Sequence, residues 1–99
     1  MKILTDGHKY ILENFENKAA QGQAVQFIEK TGEPLKTIND GTTNEEVLAV
    51  LIDRLRFLSA KLPSRETSIA ITKCEEASMW LAKRTSDRVA RAVEGTNKL

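Results

Sequence analysis

The sequence predicts an α+β chain, with a small N-terminal antiparallel β-sheet followed by a long antiparallel two-helix hairpin. Three observations carry this reading. Residues 1 to 40 contain short runs with apolar alternation, punctuated by Asp6-Gly7, Gly22 and Gly32-Glu33-Pro34. Residues 44 to 62 place apolar side chains at three- and four-residue steps. No proline or glycine lies between Pro63 and Gly95, room for one helix about 45 Å long at 1.5 Å per residue.

The first run, Met1 to Thr5, is followed by Asp6-Gly7 and then by His8 to Phe15. Asp-Gly between two such runs signals a tight hairpin whose central residues both take positive φ. A helix over residues 8 to 19 competes, since KYILENFENKAA also tolerates helical spacing. Glu16 to Gly22 reads as a polar connection. Gln23 to Lys30 alternates, with Val25 and Phe27 on one face and Ala24 and Ile28 on the other. Thr31-Gly32-Glu33-Pro34 is a second turn, and Leu35 to Ile38 a short fourth strand. Asn39-Asp40-Gly41 ends the sheet region.

Thr42 or Thr43 then caps the first helix, and Thr43 with Glu46 fits a capping box. Leu48, Leu51, Ile52, Leu55, Leu58 and Leu62 form its apolar stripe. Lys61-Leu62-Pro63-Ser64 is only long enough to reverse the chain, so the two helices form a hairpin. Ser64 is the expected N-cap of the second helix. Its partner face holds Ile69, Ala70, Cys74, Ala77 and Leu81, with Met79 and Trp80 to one side. Trp80 fits a core or interface position better than a stacking platform. The expected bounds are 1–40 for the sheet region, 43–62 for the first helix and 64–94 for the second, all in one domain of 99 residues. A domain this small cannot cover so long a helix on all sides, so its exposed faces meet solvent, a ligand or another copy.

Composition narrows the function. Apolar residues make up 40 % and charged residues 29 % of the chain, and the net charge is +1. A general nucleic-acid binder would carry a broad basic field. A near-neutral chain can still hold a local basic pocket for a small anion. One cysteine, Cys74, permits no disulfide within the chain, fits a reducing compartment and reads as a small buried apolar residue. No 18-residue apolar run predicts a membrane span, and the first ten residues do not read as a signal peptide. The single histidine, His8, sits by the predicted turn and reads as a surface residue. Glu75 and Glu76 point about 100° apart on a helix and make no catalytic pair. Without a metal-spaced or nucleophile–base set, no cofactor is expected and a binding module is favoured over an enzyme.

The basic residues of the second helix are unevenly placed. Arg84, Arg88 and Arg91 stand at i, i+4 and i+7 on one face, with Asp87 the only acid between them. Arg65 and Lys73 lie near the other end, beside Thr67, Ser68 and Thr72. Arginine suits phosphate because its fork donates two parallel hydrogen bonds. The alternative is a solvated helix end, where cations also complement the helix dipole.

The segments Asn39-Asp40-Gly41-Thr42-Thr43-Asn44-Glu45-Glu46, Ser64-Arg65-Glu66, Ala70-Ile71-Thr72-Lys73, Glu75-Glu76-Ala77, Met79-Trp80-Leu81, Arg84-Thr85 and Val93-Glu94-Gly95-Thr96 resemble the phage anti-Thoeris and anti-CBASS sponge family. The likeness covers about residues 23 to 97 and is greatest to the anti-Thoeris branch, which adds an N-terminal sheet and ends in a VEGT-like motif. The resemblance implies a non-enzymatic protein of the infected bacterial host's cytoplasm. Such proteins bind cyclic nucleotide immune messengers and leave them intact: glycocyclic ADP-ribose species for Thoeris, cyclic di- or trinucleotides for CBASS. It implies a homo-oligomer, typically a hexamer, with distinct pockets at different interfaces; the near-neutral charge and the lack of an apolar span leave neither nucleic-acid polymer nor membrane as an expected partner. By resemblance, Phe57 stacks on an adenine, Arg84 and Arg88 clamp the ligand's phosphates, and Arg91 assists. Thr67 stands where the family often has Asn, which removes an amide from that contact. Arg65 and Thr72 match a site near a threefold axis for a cyclic trinucleotide. Ala92 replaces the family's usual Gly before VEGT, so a different chain path after the helix is expected. The tyrosine and lysine with which the compact anti-CBASS branch binds cyclic dinucleotides lie in an N-terminal helix not predicted here, and Tyr10 is not given that role. An assembly protein without a ligand and a cyclic nucleotide phosphodiesterase are the rival readings.

Overall fold

A computed structural model describes residues 1–92. The chain divides into two compact units, one of Met1–Thr43 and one beginning at Asn44. The first unit is all β. Strands β1 (Lys2–Thr5), β2 (Lys9–Leu12) and β3 (Gln23–Gln26) form an antiparallel sheet in that order. Strands β4 (Glu29–Thr31) and β5 (Lys36–Asn39) pair separately as an antiparallel ribbon. The competing helix over residues 8 to 19 does not form. Its apolar residues Tyr10 and Ile11 instead oppose Val25 and Ala24 across β2 and β3.

Two details of this unit depart from expectation. At the first turn Gly7 has positive φ, at 74°, whereas Asp6 is not among the positive-φ residues. The turn closes with the His8 amide donating to the Thr5 carbonyl at 3.0 Å, and the register shifts between Ile3 and Thr5. A bulge thus replaces the tighter turn with two left-handed residues. The expected strand Gln23–Lys30 is also broken, at Phe27-Ile28, because its backbone groups change partners there. The Phe27 amide donates to His8 at 2.7 Å, and the Ile28 amide to Thr42 at 2.9 Å. The Thr42 amide returns a bond to Gln26 at 2.8 Å. Gly41 makes this crossing possible, since a Cβ at Gly41 would collide with the Gln26 carbonyl. Tyr10 and Phe27 meet edge to face, with centroids 5.9 Å apart, and form the centre of the unit's modest core. His8, expected at the surface, is half-buried beside them.

The second unit is the helical hairpin of α1 (Asn44–Lys61) and α2 (Arg65–Ala90). Ser64 caps α2 as expected: its Oγ accepts from the Thr67 amide at 3.1 Å and lies 2.9 Å from the Thr67 hydroxyl. Of the apolar stripe on α1, Leu48, Ile52 and Leu55 turn inward, whereas Leu51, Leu58 and Leu62 stay exposed. Ala70, Cys74, Ala77 and Leu81 are half-buried on α2, and Ile69 is exposed. Ile52, at 9 % exposure, is the most enclosed apolar side chain among the described residues.

Helix α2 ends earlier than expected. Its C-cap is Arg91, and the amides of Arg91 and Ala92 donate to Asp87 and Val89 at 3.1 and 3.0 Å. Ala92 has φ 56°, the left-handed conformation that usually terminates a helix with glycine. Val93 and Glu94, included in the expected helix, and the Val93–Thr96 motif lie outside the described residues. An L-residue pays about 1–2 kcal/mol for this conformation, partly offset by the backbone entropy that glycine would lose. Ala92→Gly is therefore expected to stabilise the protein by about 0.5–1 kcal/mol. Thermal unfolding should show a midpoint higher by a few degrees, and a lowered midpoint would contradict the strain.

Candidate ligand-binding surface

Two shallow depressions on α2 gather Arg65, Thr72, Arg84, Arg88 and Arg91 of the residues singled out above, but not Phe57 or Thr67. The first, about 340 Å³, is lined by Trp80, Lys83, Arg84, Asp87, Arg88 and Arg91. All six come from one helical face, at steps of three and four residues. Four cations face one carboxylate. Asp87 is bonded to Lys83 at 2.7 Å, so the arginines supply the excess positive charge. Arg84 and Arg91 are exposed. Arg88 is not: it is 4 % exposed and makes a contact of its own within the protein. Buried arginines are rare unless their charge is matched, so Arg88 contributes to the fold of this region as well as bordering the depression.

The second depression, about 320 Å³, lies near the start of α2 and is lined by Arg65, Ser68, Ile69, Thr72 and Lys73. Arg65 and Thr72, expected to share a site, are thus brought together. Thr67 lies apart from it. Its amide and hydroxyl engage Ser64 in the helix cap, which limits its freedom to turn toward a ligand. Lys73 forms a solvated ion pair with Glu76 at 3.6 Å.

Phe57, on α1, is 56 % exposed, with the Lys61 ammonium 4.4 Å from its ring centroid. A cation over an exposed ring contributes about 0.5–1 kcal/mol, and it leaves an aromatic face and a positive charge side by side. Arg56 of α1 pairs with Glu75 of α2, which marks the stagger of the hairpin. Phe57 therefore stands near the level of Cys74, about 15 Å along the axis from Arg84. Arg65 is about 28 Å from Arg84 by the same measure. Within one chain, Phe57 and the arginine cluster do not form one pocket.

Sequence reasoning placed Trp80 at the side of the hairpin and did not join it to the arginines. The signal was present, since Trp80, Lys83, Arg84, Asp87, Arg88 and Arg91 follow one helical face. A third depression, about 520 Å³, lies on the β unit and includes Lys2, Leu4, Ile11, Glu13 and Lys18. Lys18 and Glu13 pair there at 3.7 Å. Among the described residues no group of three or more His, Cys, Asp or Glu side chains could hold a metal ion. No described helix is long and apolar enough to cross a membrane.

Comparison with known proteins places these features in context. The family model described as "Acb2/Tad1, hairpin domain" matches residues 23–86, which include Phe57, Arg65, Thr67, Thr72, Trp80 and Arg84. A protein named Thoeris anti-defense 1, from Bacillus phage SBSphiJ7, is 48 % identical over 60 residues. That alignment covers 60 % of this chain and 42 % of the phage protein, so the chain spans less than half the length of this relative. With the matched span running from β3 through most of α2, the chain belongs to the Acb2/Tad1 hairpin-domain family.

Proposed function

We propose that this protein is a phage anti-defence protein that binds and sequesters cyclic nucleotide immune messengers without cleaving them. The messengers are glycocyclic ADP-ribose species, cyclic di- or trinucleotides, or both. Its place of action is the cytoplasm of the infected bacterial host. The observation that carries this reading is the match to the Acb2/Tad1 hairpin-domain family together with a relative named for anti-defence. The charge of the α2 surface supports it, because arginines on one helical face suit a compact, phosphate-bearing ligand. Two or three charge-assisted bonds at about 1.5–3 kcal/mol each, with one aromatic stack, supply much of the roughly 12 kcal/mol of nanomolar binding.

The working form is a homo-oligomer, with a hexamer as the proposed state. The axial separation of Phe57 from Arg84 supports assembly, because a small ligand touching both must lie between two copies. Exposed Leu51, Phe57, Leu58, Ile69 and Met79 on the hairpin supply apolar surface for such contacts. The same surface favours the second reading, an assembly protein that has no small-molecule ligand.

Titration calorimetry with glycocyclic ADP-ribose and a cyclic trinucleotide separates these readings. Phe57→Ala is expected to weaken the ADP-ribose ligand about tenfold, as loss of one stacked base implies, and to leave the trinucleotide at Arg65 within about twofold. Equal loss of both ligands would contradict two separate sites. Chromatography of the released nucleotide should return it unchanged; cleaved product would instead identify a phosphodiesterase.

A further inference from the structure

Trp80 is the sole tryptophan of the chain, and it is 69 % exposed. Ala77 and Leu81, about 60° and 100° from it around the helix, are half-buried toward the hairpin seam, so the indole stands at the exposed flank of that seam. It borders two adjoining depressions. One is the arginine-lined surface described above. The other, about 240 Å³, is lined by Glu76, Met79, Trp80 and Lys83. Trp80 and Lys83 belong to both, so the two form one continuous surface along α2.

The spacing gives this surface a direction. Arg84 follows Trp80 by four residues, which puts their Cβ atoms about 5–6 Å apart on the same face. Helical side chains lean toward the N-terminus, so the Arg84 guanidinium reaches back over the turn that carries the indole. Arg91 lies eleven residues beyond Trp80, about 16 Å along the axis. An aromatic face, an adjacent exposed guanidinium and a second one farther on match the order of base, phosphate and distal phosphate in a nucleotide. The indole presents the larger aromatic face, and stacking on it tolerates any base.

We propose that Trp80 is a further base-stacking residue, on the arginine surface itself, so that a phosphate-bearing nucleotide lies along α2 with its base on the indole and its phosphates at Arg84 and Arg91. This rests on the nucleotide-binding reading above and adds a stacking residue to the same site. It also gives each chain a stacking contact beside its own arginines, whereas Phe57 is about 15 Å away along the helix axis. A symmetric contact between two copies through this face is disfavoured. It would set the same arginines against each other, with Asp87 already held by Lys83.

The test uses the full chain. Calorimetry with glycocyclic ADP-ribose, cyclic di-AMP and cyclic tri-AMP first identifies a ligand of the wild-type protein. Because Trp80 is the sole tryptophan, its emission reports on this position alone. The ligand is expected to quench that emission with the same dissociation constant that calorimetry gives. Trp80→Ala should weaken binding tenfold or more at unchanged oligomer mass, and Trp80→Phe should restore most of the affinity. Unchanged affinity in Trp80→Ala would overturn the proposal while leaving messenger binding intact. So would a fall in oligomer mass with affinity per chain preserved, which would make Trp80 a contact between copies. Failure of the wild-type protein to bind any of the three would overturn the messenger reading and this proposal together.

Discussion

Replacing Arg84 by alanine is expected to weaken messenger binding about 10- to 100-fold, with little change in thermal stability. A hydrogen bond between charged groups contributes about 1.5–3 kcal/mol, and 1.4 kcal/mol is a factor of ten in affinity. Arg84 is the cleanest of the three arginines for this test. It is exposed and faces the depression beside Trp80, so its removal leaves no buried group without a partner. Arg88 would mix two effects, because a side chain only 4 % exposed takes part in folding as well. Arg84→Lys should fall between the parent and the alanine variant, since lysine keeps the charge and loses the two-pronged geometry. Calorimetry and thermal unfolding measured on the same samples check both halves of the expectation. Unchanged affinity for every messenger in Arg84→Ala would favour an assembly protein without a ligand.

Ile52→Ala is expected to destabilise the hairpin by about 2–4 kcal/mol, the usual cost of emptying a buried aliphatic site. Ile52 stands at the middle of α1 and is its most enclosed side chain. Few other residues of the hairpin are enclosed, so the loss is a large share of the 5–15 kcal/mol typical of a whole domain. In thermal unfolding the midpoint should fall by about 8–30 °C, at about 4–8 °C per kcal/mol for a chain of this size. Leu51→Ala, one position away and exposed, serves as the comparison and should cost under about 1 kcal/mol in an uncovered chain. A larger loss at Leu51 that grows with protein concentration would show that another copy covers that face. Equal, small effects at both positions would contradict the seam.

The hairpin was legible because its signals are local and agree with one another. The stripe through Leu48, Ile52 and Leu55 has helical period, Pro63 and Ser64 mark the reversal, and no breaker follows until Gly95. The β unit was legible as strands but not as two sheets. Alternation over residues 23 to 30 continues smoothly through Phe27 and Ile28, and period alone does not reveal that the pairing partner changes there. The end of α2 was hidden for a related reason. Ala92 adopts a conformation that glycine usually signals, and alanine gives no such signal. In the candidate site, spacing correctly put Arg84, Arg88 and Arg91 on one face but could not show that Arg88 is buried. It also set Trp80 aside as a core or interface residue without joining it to that face, where the indole is exposed in the single chain. Phe57, Arg65, Thr67 and Thr72 came from resemblance, and the structure separates Phe57 from the arginines by a distance that only hairpin stagger could define.

The central claim is that the protein holds a messenger intact. Native mass spectrometry tests it most directly, on the purified protein alone and with glycocyclic ADP-ribose, cyclic dinucleotides and cyclic trinucleotides. The account predicts an oligomer whose peaks shift by whole numbers of ligand masses, with the same ligand recovered unchanged after heat denaturation. An oligomer that shifts with no member of the panel would contradict it, and would leave the hairpin as a device for assembly alone.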